Sequence, residues 1–410
     1  MSTLKVNKLR DTAGSADAIT LDPNGGAVLA GVTTVSTVKV GSGVTISSDG
    51  DVFTTGITTS STVIVGSGVT ISESGIEASG IGITCANING TQIGGRRNLI
   101  INGAMEVAQR GTSSTSDGYH TVYRITKGEG GTDESVTQSQ VDVSSGTTPY
   151  TEGFRKAFRL TNGNQTSGAG AADYTRFDYR IEAQDLAKSG WNYTSSSSFV
   201  SLQFWIKSSV AQNFYFIFNT ADGGQTRSYV METGSLTADT WTKITKTFPG
   251  DSQVAFDNDT GIGCYLYIYA YLGTTYADNS VSVNAWKNVS NPQTPANTTT
   301  WWTTNDATLE MTGLQLEVGP QATAFEHRSF NEELALCKRY FHNFSGYTYA
   351  VDHGVNSFSH FPFHTEMRAN PTVSGTFLNA AGNYSSAMRG MYYHNGNSSN
   401  AQNVTFDAEI

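Results

Sequence analysis

Four tyrosines occupy every second position of residues 264–272 (CYLYIYAYL), and apolar residues lie between them. A period of two is typical of a β-strand with two different faces, so we expect a buried apolar face and an opposite face of tyrosines. Phenol rings can pack on the apolar faces of sugar rings while their hydroxyls bond sugar hydroxyls. The row would equally suit contact with a neighbouring subunit or a covering loop. The four residues are Tyr265, Tyr267, Tyr269 and Tyr271.

Two other aromatic groups are candidates for glycan binding. Trp301 and Trp302 follow a loop rich in Pro, Asn and Thr. Adjacent residues on a strand face opposite sides, so at least one of the two indoles is expected in the core. The second group, near the end of the sequence, comprises Tyr392, Tyr393 and His394.

Metal sites are weakly indicated, and no cofactor is expected. His360 and His364 are separated by Pro362, which excludes a helix, and in a strand they would lie about 13 Å apart. One histidine from each of three chains could still meet on a three-fold axis. Residues 257–261 (DNDTG) resemble part of a Ca²⁺ loop but lack its bidentate Glu, so an ordinary polar turn is the alternative to a structural Ca²⁺ site.

Motifs for catalysis are missing from the sequence. It contains neither G-x-S-x-G nor H-E-x-x-H, and the glycines of residues 128–131 (GEGG) lack the lysine of a phosphate-binding loop. Closely spaced acidic residues occur at 133–134, in a polar loop, and at 332–333, in a helix cap. Polysaccharide cleavage typically uses two carboxylates about 5–10 Å apart on a rigid scaffold. We therefore expect no enzymatic activity.

The composition of the 410 residues excludes several classes of protein. Charged residues make up 15% and the net charge is −10, with no Lys/Arg cluster, so a nucleic-acid partner is not expected. No apolar segment is long enough to span a membrane, and the first residues lack the apolar stretch of a secretory signal. Cys85, Cys264 and Cys337 are odd in number and far apart, which suits free thiols in a protein made in a reducing cytoplasm.

The first quarter is repetitive and nearly free of aromatic residues. Residues 32–56 align with residues 57–81 at 14 of 25 positions, and Phe53 is the one aromatic residue before position 96. Each repeat predicts two short β-strands and two turns. Two units are too few to bury a core within one chain, so three chains around a common axis would make a β-helix-like or β-prism-like shaft. A flexible Gly/Ser/Thr linker is the alternative.

From residue 96 the chain changes character and predicts many short β-strands. Residues 199–207 place four apolar side chains on one face of a strand, and residues 214–218 (FYFIF) indicate a strand covered on both faces. In residues 308–317 the apolar phase slips by one position at Gly313, which predicts a β-bulge. Strands of this kind separated by polar turns are typical of an antiparallel sandwich or jelly roll.

One helix is expected. Ser329 and Glu332 fit a capping box, and Leu334, Cys337 and Phe341 recur on one side of the following ten residues or so. A helix this short needs a surface on which to dock. We expect it to connect the β domain to a terminal module, with a position near a three-fold axis as a hypothesis.

Several segments together resemble the tail fibre proteins of tailed phages, notably those that infect marine cyanobacteria. The resemblance covers almost the whole chain and is carried by residues 1–9 (MSTLKVNKL), 98–112 (NLIINGAMEVAQRGT), 153–160 (GFRKAFRL), 182–186 (EAQDL), 314–319 (LQLEVG), 324–329 (AFEHRS) and 332–341 (EELALCKRYF). It implies a homotrimeric fibre of the virion that attaches to tail or baseplate proteins by its N-terminus and recognises the host distally. It implies no particular binding residue, because such sites diverge with the host.

These observations predict an all-β fibrous homotrimer with four segments. Residues 1–30 would attach to the virion, 31–95 form the shaft, 96–329 form a jelly-roll or carbohydrate-binding-like domain, and 330–410 form a helix and a receptor-binding β tip. The expected partner is a host surface glycan such as lipopolysaccharide, with an outer-membrane protein as a second option. A purely structural baseplate or neck fibre is the alternative function, and a depolymerase tailspike is a further one.

Overall fold

The computed structural model describes residues 8–9, 19–21, 27–29, 62–65, 69–72, 75–78, 87–88, 91–92, 96–223, 225–351, 358–378, 383–394 and 399–410. Side chains of all residues before 96 and of residues 345–351, 358–361, 376–378, 383–386, 391–394 and 399–403 lie outside this description. The chain divides into two compact units, Met1–Thr84 and Cys85–Ile410. The boundaries expected between the four segments 1–30, 31–95, 96–329 and 330–410 stay a prediction.

β-strands are the main regular structure among the described residues of both units. Their bounds are Lys8–Leu9 (β1), Ile19–Leu21 (β2), Ala27–Leu29 (β3), Thr62–Val65 (β4), Val69–Ser72 (β5), Gly75–Ala78 (β6), Asn87–Ile88 (β7), Thr91–Gln92 (β8), Ser113–Ser114 (β9), Ile125–Gly130 (β10), Thr137–Asp142 (β11), Lys156–Thr161 (β12), Tyr174–Glu182 (β13), Phe199–Ser208 (β14), Asn213–Thr220 (β15), Arg227–Ser235 (β16), Thr242–Pro249 (β17), Ile262–Leu272 (β18), Ala285–Asn288 (β19), Thr308–Val318 (β20), Phe341–Val351 (β21), Phe358–Pro362 (β22), Thr372–Leu378 (β23), Asn383–Ala387 (β24), Gly390–His394 (β25) and Ser399–Asp407 (β26). The helices are Thr148–Thr151 (α1), Ala183–Ala187 (α2), Thr300–Thr303 (α3) and Phe330–Lys338 (α4). None of the helices in the described part of the chain has the length and apolar character needed to cross a membrane.

In the first unit, the second sequence repeat contains an antiparallel meander of β4, β5 and β6. Val65 pairs with Val69, and Ser72 pairs with Gly75, so the chain reverses where the sequence predicts turns. The two strands predicted for this repeat are present as β4 and β5, and β6 is a third strand that the sequence pattern did not predict. The strands predicted for the first repeat lie outside the described residues.

Two six-stranded antiparallel sheets form a β-sandwich in the second unit, as the sequence predicts. The first sheet has the order β10-β13-β18-β15-β16-β19, and the second has the order β17-β14-β20-β12-β11-β9. Apolar residues at alternating strand positions meet between the sheets, where the rings of Phe204 and Phe216 lie 5.2 Å apart and those of Phe158 and Phe177 lie 5.7 Å apart. Burial of these aromatic side chains stabilises the sandwich.

The predicted irregularity in β20 is confirmed. The register between β14 and β20 shifts between Gln203 and Trp205, opposite the segment that contains Gly313. Gly313 has a φ of 67°, and a Cβ at this position would lie 2.7 Å from the ring of Phe154. Glycine is therefore required both by the bulge conformation and by the close packing of Phe154.

The predicted capping box of α4 is also confirmed. The Ser329 hydroxyl accepts a hydrogen bond from the Glu332 backbone N–H at 3.3 Å, and the Glu332 carboxylate accepts one from the Ser329 N–H at 2.9 Å. The helix ends at Lys338, earlier than expected, and Phe341 begins β21. Cys337 is fully buried in a cluster with Ile101, so the helix docks on the segment that leads into the sandwich.

Beyond α4 the chain forms two small antiparallel sheets. One, which we call the tip sheet, has the order β21-β26-β23, and the other has the order β22-β25-β24. The tip sheet is amphipathic, because Val404 and Phe406 of β26 are buried with Met367 on one face while Thr405 and Asp407 point to the other. This second, polar face bounds the candidate site.

Candidate functional site

The tyrosine strand has the two faces that the sequence predicts. Cys264, Leu266 and Ile268 of β18 are buried in the core between the sheets. Tyr265, Tyr267 and Tyr269 project from the outer face of the first sheet. At the end of the strand a register shift against β13 turns Tyr271 to the inner face and Leu272 to the outer face, which corrects the prediction there. Their surroundings differ along the strand, and this difference decides which of them a ligand can reach.

The far half of the tyrosine row is covered by the chain itself. Tyr269 is fully buried, and its hydroxyl donates to the side-chain oxygen of Gln293 at 2.7 Å. Tyr271 is 3% exposed and lies 5.0 Å from the ring of Trp302. The alternative of a covering loop holds for Tyr269, whereas Tyr271 packs inside against Trp302 of α3. Neither ring can act as a sugar platform in this conformation.

The near half of the row is only partly buried, but it is not a flat platform. The rings of Tyr265 and Tyr267 stack on each other with centroids 5.1 Å apart and 22° between their planes. The guanidinium of Arg176 lies 4.3 Å from the Tyr267 ring, and that of Arg180 lies 5.4 Å from the Tyr265 ring. Ring faces are thus engaged within the protein. The expected platform is corrected to a surface of ring edges and hydroxyls.

The Tyr267 phenol remains neutral under ordinary conditions. Burial raises the pKa of Tyr267 above its usual value, and the nearby Asp178 carboxylate adds to the effect. A neutral phenol can both donate and accept a hydrogen bond. The near half of the row can therefore bond to hydroxyl groups of a ligand.

Trp301 and Trp302 are both fully buried, which corrects the expectation that one of them could stack on a glycan. They lie on the helical turn α3 instead of a strand, so they need not face opposite sides. The Trp302 indole N–H donates to the carbonyl of Gly168 at 2.7 Å, and the side chain of Asn162 bonds the carbonyls of both tryptophans. Their rings stabilise the sandwich interior.

The side chains of Tyr392, Tyr393 and His394 lie outside the described residues, so their proposed role stays a prediction. Their backbone forms β25, in which Tyr393 pairs with Ser359 and with Tyr384. His394 is paired with Phe358 of β22.

Candidate metal-ligating side chains do not come together in the described part of the chain. No group of three or more His, Cys, Asp and Glu side chains is suitably placed there to hold a metal ion. Residues 257–261 form a polar turn in which the Asp259 carboxylate accepts a hydrogen bond from the Gly261 N–H at 2.8 Å. The neighbouring Asp222 carboxylate raises the pKa of Asp257. His364 is exposed, and the side chain of His360 lies outside the described residues.

A cleft of about 640 Å³ lies next to the near tyrosines, on the polar face of the tip sheet. Two rows of side chains cross the three strands there. The strand register gives one row of Phe341, Asp407 and Thr372, and a second row of Asn343, Thr405 and Ser374. The floor of the cleft therefore combines a phenyl ring, an amide, a carboxylate and three hydroxyls.

The opposite wall comes from the segment that precedes β10 and contains Arg110, Tyr119 and His120. The Arg110 guanidinium lies 3.5 Å from the centre of the Phe341 ring. It also pairs with Asp407 at 2.7 Å and with Glu409 at 3.4 Å. These contacts hold the wall against the tip sheet.

Arg180 connects the cleft with the near tyrosines. Its guanidinium lies 5.4 Å from the Tyr265 ring and 5.8 Å from the Tyr119 ring. Tyr119 donates its hydroxyl hydrogen to the carbonyl of Ile410 at 2.9 Å, and Arg180 bonds the same carbonyl. Phenol hydroxyls and guanidinium groups thus continue from the outer face of the first sheet into the cleft.

Sequence reasoning placed the binding surface on tyrosines and missed the cleft. A signal existed, because residues 404–407 (VTFD) alternate apolar and polar side chains as an amphipathic strand does. That pattern identifies Thr405 and Asp407 as members of one face. It cannot identify Arg110, which is 297 positions away from Asp407.

The apolar face of the tip sheet contains a histidine that should make stability depend on pH. Burial, with a smaller contribution from Lys338, lowers the pKa of His342 from its usual 6.5 to about 4, and its Nε2 has no hydrogen-bond partner among the described residues. Because the folded state resists protonation, stability is complete above pH 6.5 and is lost as the pH falls towards 4. The expected loss is about 3 kcal/mol.

Urea denaturation between these pH values measures this dependence. The variant His342→Phe should lose most of the slope, because a phenyl ring can still stack on Phe344 and Phe363. The variant His120→Asn, at an exposed histidine, should keep it. An unchanged slope in His342→Phe would contradict the assignment.

No known protein family matches the chain, and no curated protein sequence matches it. The solved structures to which it is similar include the enzymatically active domain of tailspike protein 4 of bacteriophage CBA120, with 8% identity, a TM-score of 0.29, and 54% of this chain and 21% of that one covered. They also include the family 11 carbohydrate-binding module of Clostridium thermocellum, solved with a mixed-linked tetrasaccharide, with 14% identity, a TM-score of 0.23, and 53% and 98% covered. A third is the N-terminal cellulose-binding domain of Cellulomonas fimi β-1,4-glucanase C, with 10% identity, a TM-score of 0.24, and 53% and 99% covered.

The match spans about a fifth of the tailspike chain. Similarities at these TM-scores carry no argument about ligand or activity. The assignment of a β-sandwich rests on the strands and their register in this chain.

Proposed function

We propose that this protein is an adhesin that binds a cell-surface glycan in the cleft on the tip sheet without cleaving it. The observation that carries the proposal is the polar face of this sheet, where two rows of hydroxyl, amide and aromatic side chains face Tyr119 across about 640 Å³. Sugars offer many hydroxyls on a partly apolar ring. A few placed polar groups beside an aromatic ring bind such ligands well.

Binding without cleavage fits the state of the carboxylates in the cleft. Glycoside hydrolysis needs one carboxyl group as an acid and another as a nucleophile or base. Asp407 is paired with Arg110, and Glu409 is paired with both Arg110 and Arg124. Carboxylates held in this way serve as hydrogen-bond acceptors for the two arginines.

The wider role that we propose is that of a host-attachment fibre of a phage virion. Its support is the resemblance of the sequence to phage tail fibres, together with the 25-residue repeats. In this proposal three chains form the shaft, residues 1–30 attach to tail or baseplate proteins, and the distal cleft binds the host glycan. Three clefts in each fibre would multiply a weak affinity through effective concentration.

Removing two hydroxyls from the cleft is expected to lower the affinity for the glycan about thirtyfold, because each hydrogen bond contributes about 1 kcal/mol. The variant combines Ser374→Ala with Thr405→Val, and the purified protein is compared with the unaltered one on an array of bacterial surface polysaccharides. Thr245→Val is the matched control, because this threonine is exposed on β17 of the second sheet. It should bind as the unaltered protein does.

Three other results would redirect the proposal. Equal binding by the double variant would place the site elsewhere. If the protein bound neither glycans nor host cells, a purely structural baseplate or neck fibre would be the better description. Binding to host cells stripped of glycan would favour an outer-membrane protein as the receptor. Reducing ends that accumulate from the polysaccharide would identify a depolymerase.

A further inference from the structure

We infer that the cleft selects an uncharged glycan, meaning one without carboxylate, phosphate, sulfate or free amino groups. This inference rests on the proposed function and narrows its ligand class. The inference has the following basis. The charged side chains at the border of the cleft form ion pairs with one another, whereas the uncharged polar groups face the open space.

The charges of the cleft cancel through direct contacts. One end of the Arg110 guanidinium meets Asp407 at 2.7 Å, and its other end meets Glu409 at 3.4 Å. The second oxygen of Glu409 is bound by Arg124. Two cations and two anions thus form one neutral network at the side of the cleft, and the Arg180 guanidinium beyond it is held by the carbonyl of Ile410.

The cationic group is also shielded from a ligand on its flat side. The Arg110 guanidinium lies 3.5 Å from the centre of the Phe341 ring, which occupies one of its faces. Its side chain is 11% exposed, whereas the side chain of Asp407 is 40% exposed. An anionic sugar would therefore meet the Asp407 carboxylate before it met the guanidinium, and repulsion between the two like charges would disfavour binding.

A cationic sugar is disfavoured for a related reason. An amine could reach Asp407, but it would have to compete with Arg110, which already holds this carboxylate in a charge-assisted hydrogen bond. The Asp407 carboxylate is held further by the Glu409 backbone N–H at 3.0 Å. Replacing the Arg110 guanidinium with a ligand amine at Asp407 would therefore contribute little net binding free energy.

Uncharged groups remain for recognition. Thr372 and Ser374 are exposed on β23, and Thr405 is partly exposed on the neighbouring strand. Each hydroxyl can donate one hydrogen bond and accept others. The exposed imidazole of His120 on the facing wall adds a further hydrogen-bonding group. This set matches the hydroxyls of a neutral sugar.

Calorimetric titration with three oligosaccharides of equal length tests the inference on the full-length protein: one of neutral hexoses, one that contains uronate, and one with free amines. The neutral ligand should bind at least about tenfold more tightly than either charged one, by the net cost of an unmatched charge. Its affinity should change less than about twofold between about 50 mM and about 500 mM salt, because no charge on the ligand is screened.

A single substitution should alter this selectivity. Asp407→Asn frees one end of the Arg110 guanidinium, keeps the shape of the side chain and is expected to raise the affinity for the uronate ligand about tenfold. Asp142→Asn is the control, because Asp142 is 81% exposed and pairs with Lys156 on the second sheet. It should leave the affinities for all three ligands unchanged.

The outcomes separate the inference from the proposed function. If the unaltered protein prefers the uronate or the amine ligand, with an affinity that falls steeply as the salt concentration rises, the inference is overturned. The proposed function of glycan binding would still stand. A folded Asp407→Asn that gains nothing for uronate also overturns it. Failure of the unaltered protein to bind any of the three ligands, or any glycan of the array, overturns the proposed function itself.

Discussion

Replacing Arg124 with methionine is expected to lower the free energy of unfolding of the second unit by about 3–5 kcal/mol. The Arg124 side chain is 1% exposed, its guanidinium lies 3.5 Å from the centre of the Tyr340 ring, and it pairs with Glu409. A second hydrogen bond reaches the carbonyl of Arg180 at 2.7 Å. Methionine fills much of the space but leaves a buried carboxylate with one cationic partner fewer.

Urea denaturation followed by tryptophan fluorescence measures this loss. Limited proteolysis should show cleavage first in the segment after α4, because Arg124 ties that segment to the sandwich. The control Lys156→Met removes an exposed partner of Asp142 and should cost less than about 1 kcal/mol. A loss for Arg124→Met as small as for this control would show that the buried pair contributes no more than a surface one.

The second large effect is expected for Glu182→Gln, again with a loss of about 3–5 kcal/mol. Glu182 is fully buried at the end of β13, where it accepts two hydrogen bonds from Arg339 at 2.8 Å and one from the Tyr340 hydroxyl at 2.5 Å. An amide has one acceptor fewer and directs its N–H hydrogens at these donors. The change therefore breaks the attachment of the end of α4 to the sandwich.

The effect of Glu182→Gln should depend on pH. Burial alone would raise the pKa of Glu182, but the hydrogen bonds from Arg339 and Tyr340 outweigh it and hold the pKa below its usual 4.5. The carboxylate therefore stabilises the fold above pH 4.5, and this contribution is lost as the pH falls through the lowered value. The difference between the two proteins should shrink in acid.

Asp142→Asn is the control for this variant, since it changes a carboxylate of similar chemistry at an exposed site. A double variant adds a further test. Arg124 packs on the ring of Tyr340 and Glu182 bonds its hydroxyl, so the two losses should not add. Strict additivity would indicate that Tyr340 does not couple the two contacts.

Local sequence pattern was sufficient for much of the fold. Alternation in residues 199–207 and 264–272 identified strands and their buried faces, and the slip at Gly313 identified a bulge. The capping box of Ser329 identified the start of α4. These features succeed because side-chain period, glycine conformation and capping are properties of neighbouring residues.

The candidate site depended on contacts that no local pattern contains. Alternation placed Tyr265, Tyr267, Tyr269 and Tyr271 on one face, but it could not show the register shift that turns Tyr271 to the other face, nor that Gln293 covers Tyr269. Nor could it show that the near rings stack on each other. The prediction that Trp301 and Trp302 face opposite sides assumed that both lie on a strand, but the chain forms a helical turn there.

The sequence by itself determined an all-β chain with a repetitive first part, an antiparallel sandwich and one capped helix, because burial of alternating apolar residues leaves few other arrangements. Only the tertiary structure decided where a ligand has room. The cleft exists because Arg110 meets Asp407 from 297 positions away and draws the wall against the tip sheet. Charge neutrality there is likewise a product of long-range pairing, since separate positions in a sequence do not reveal which charges will meet.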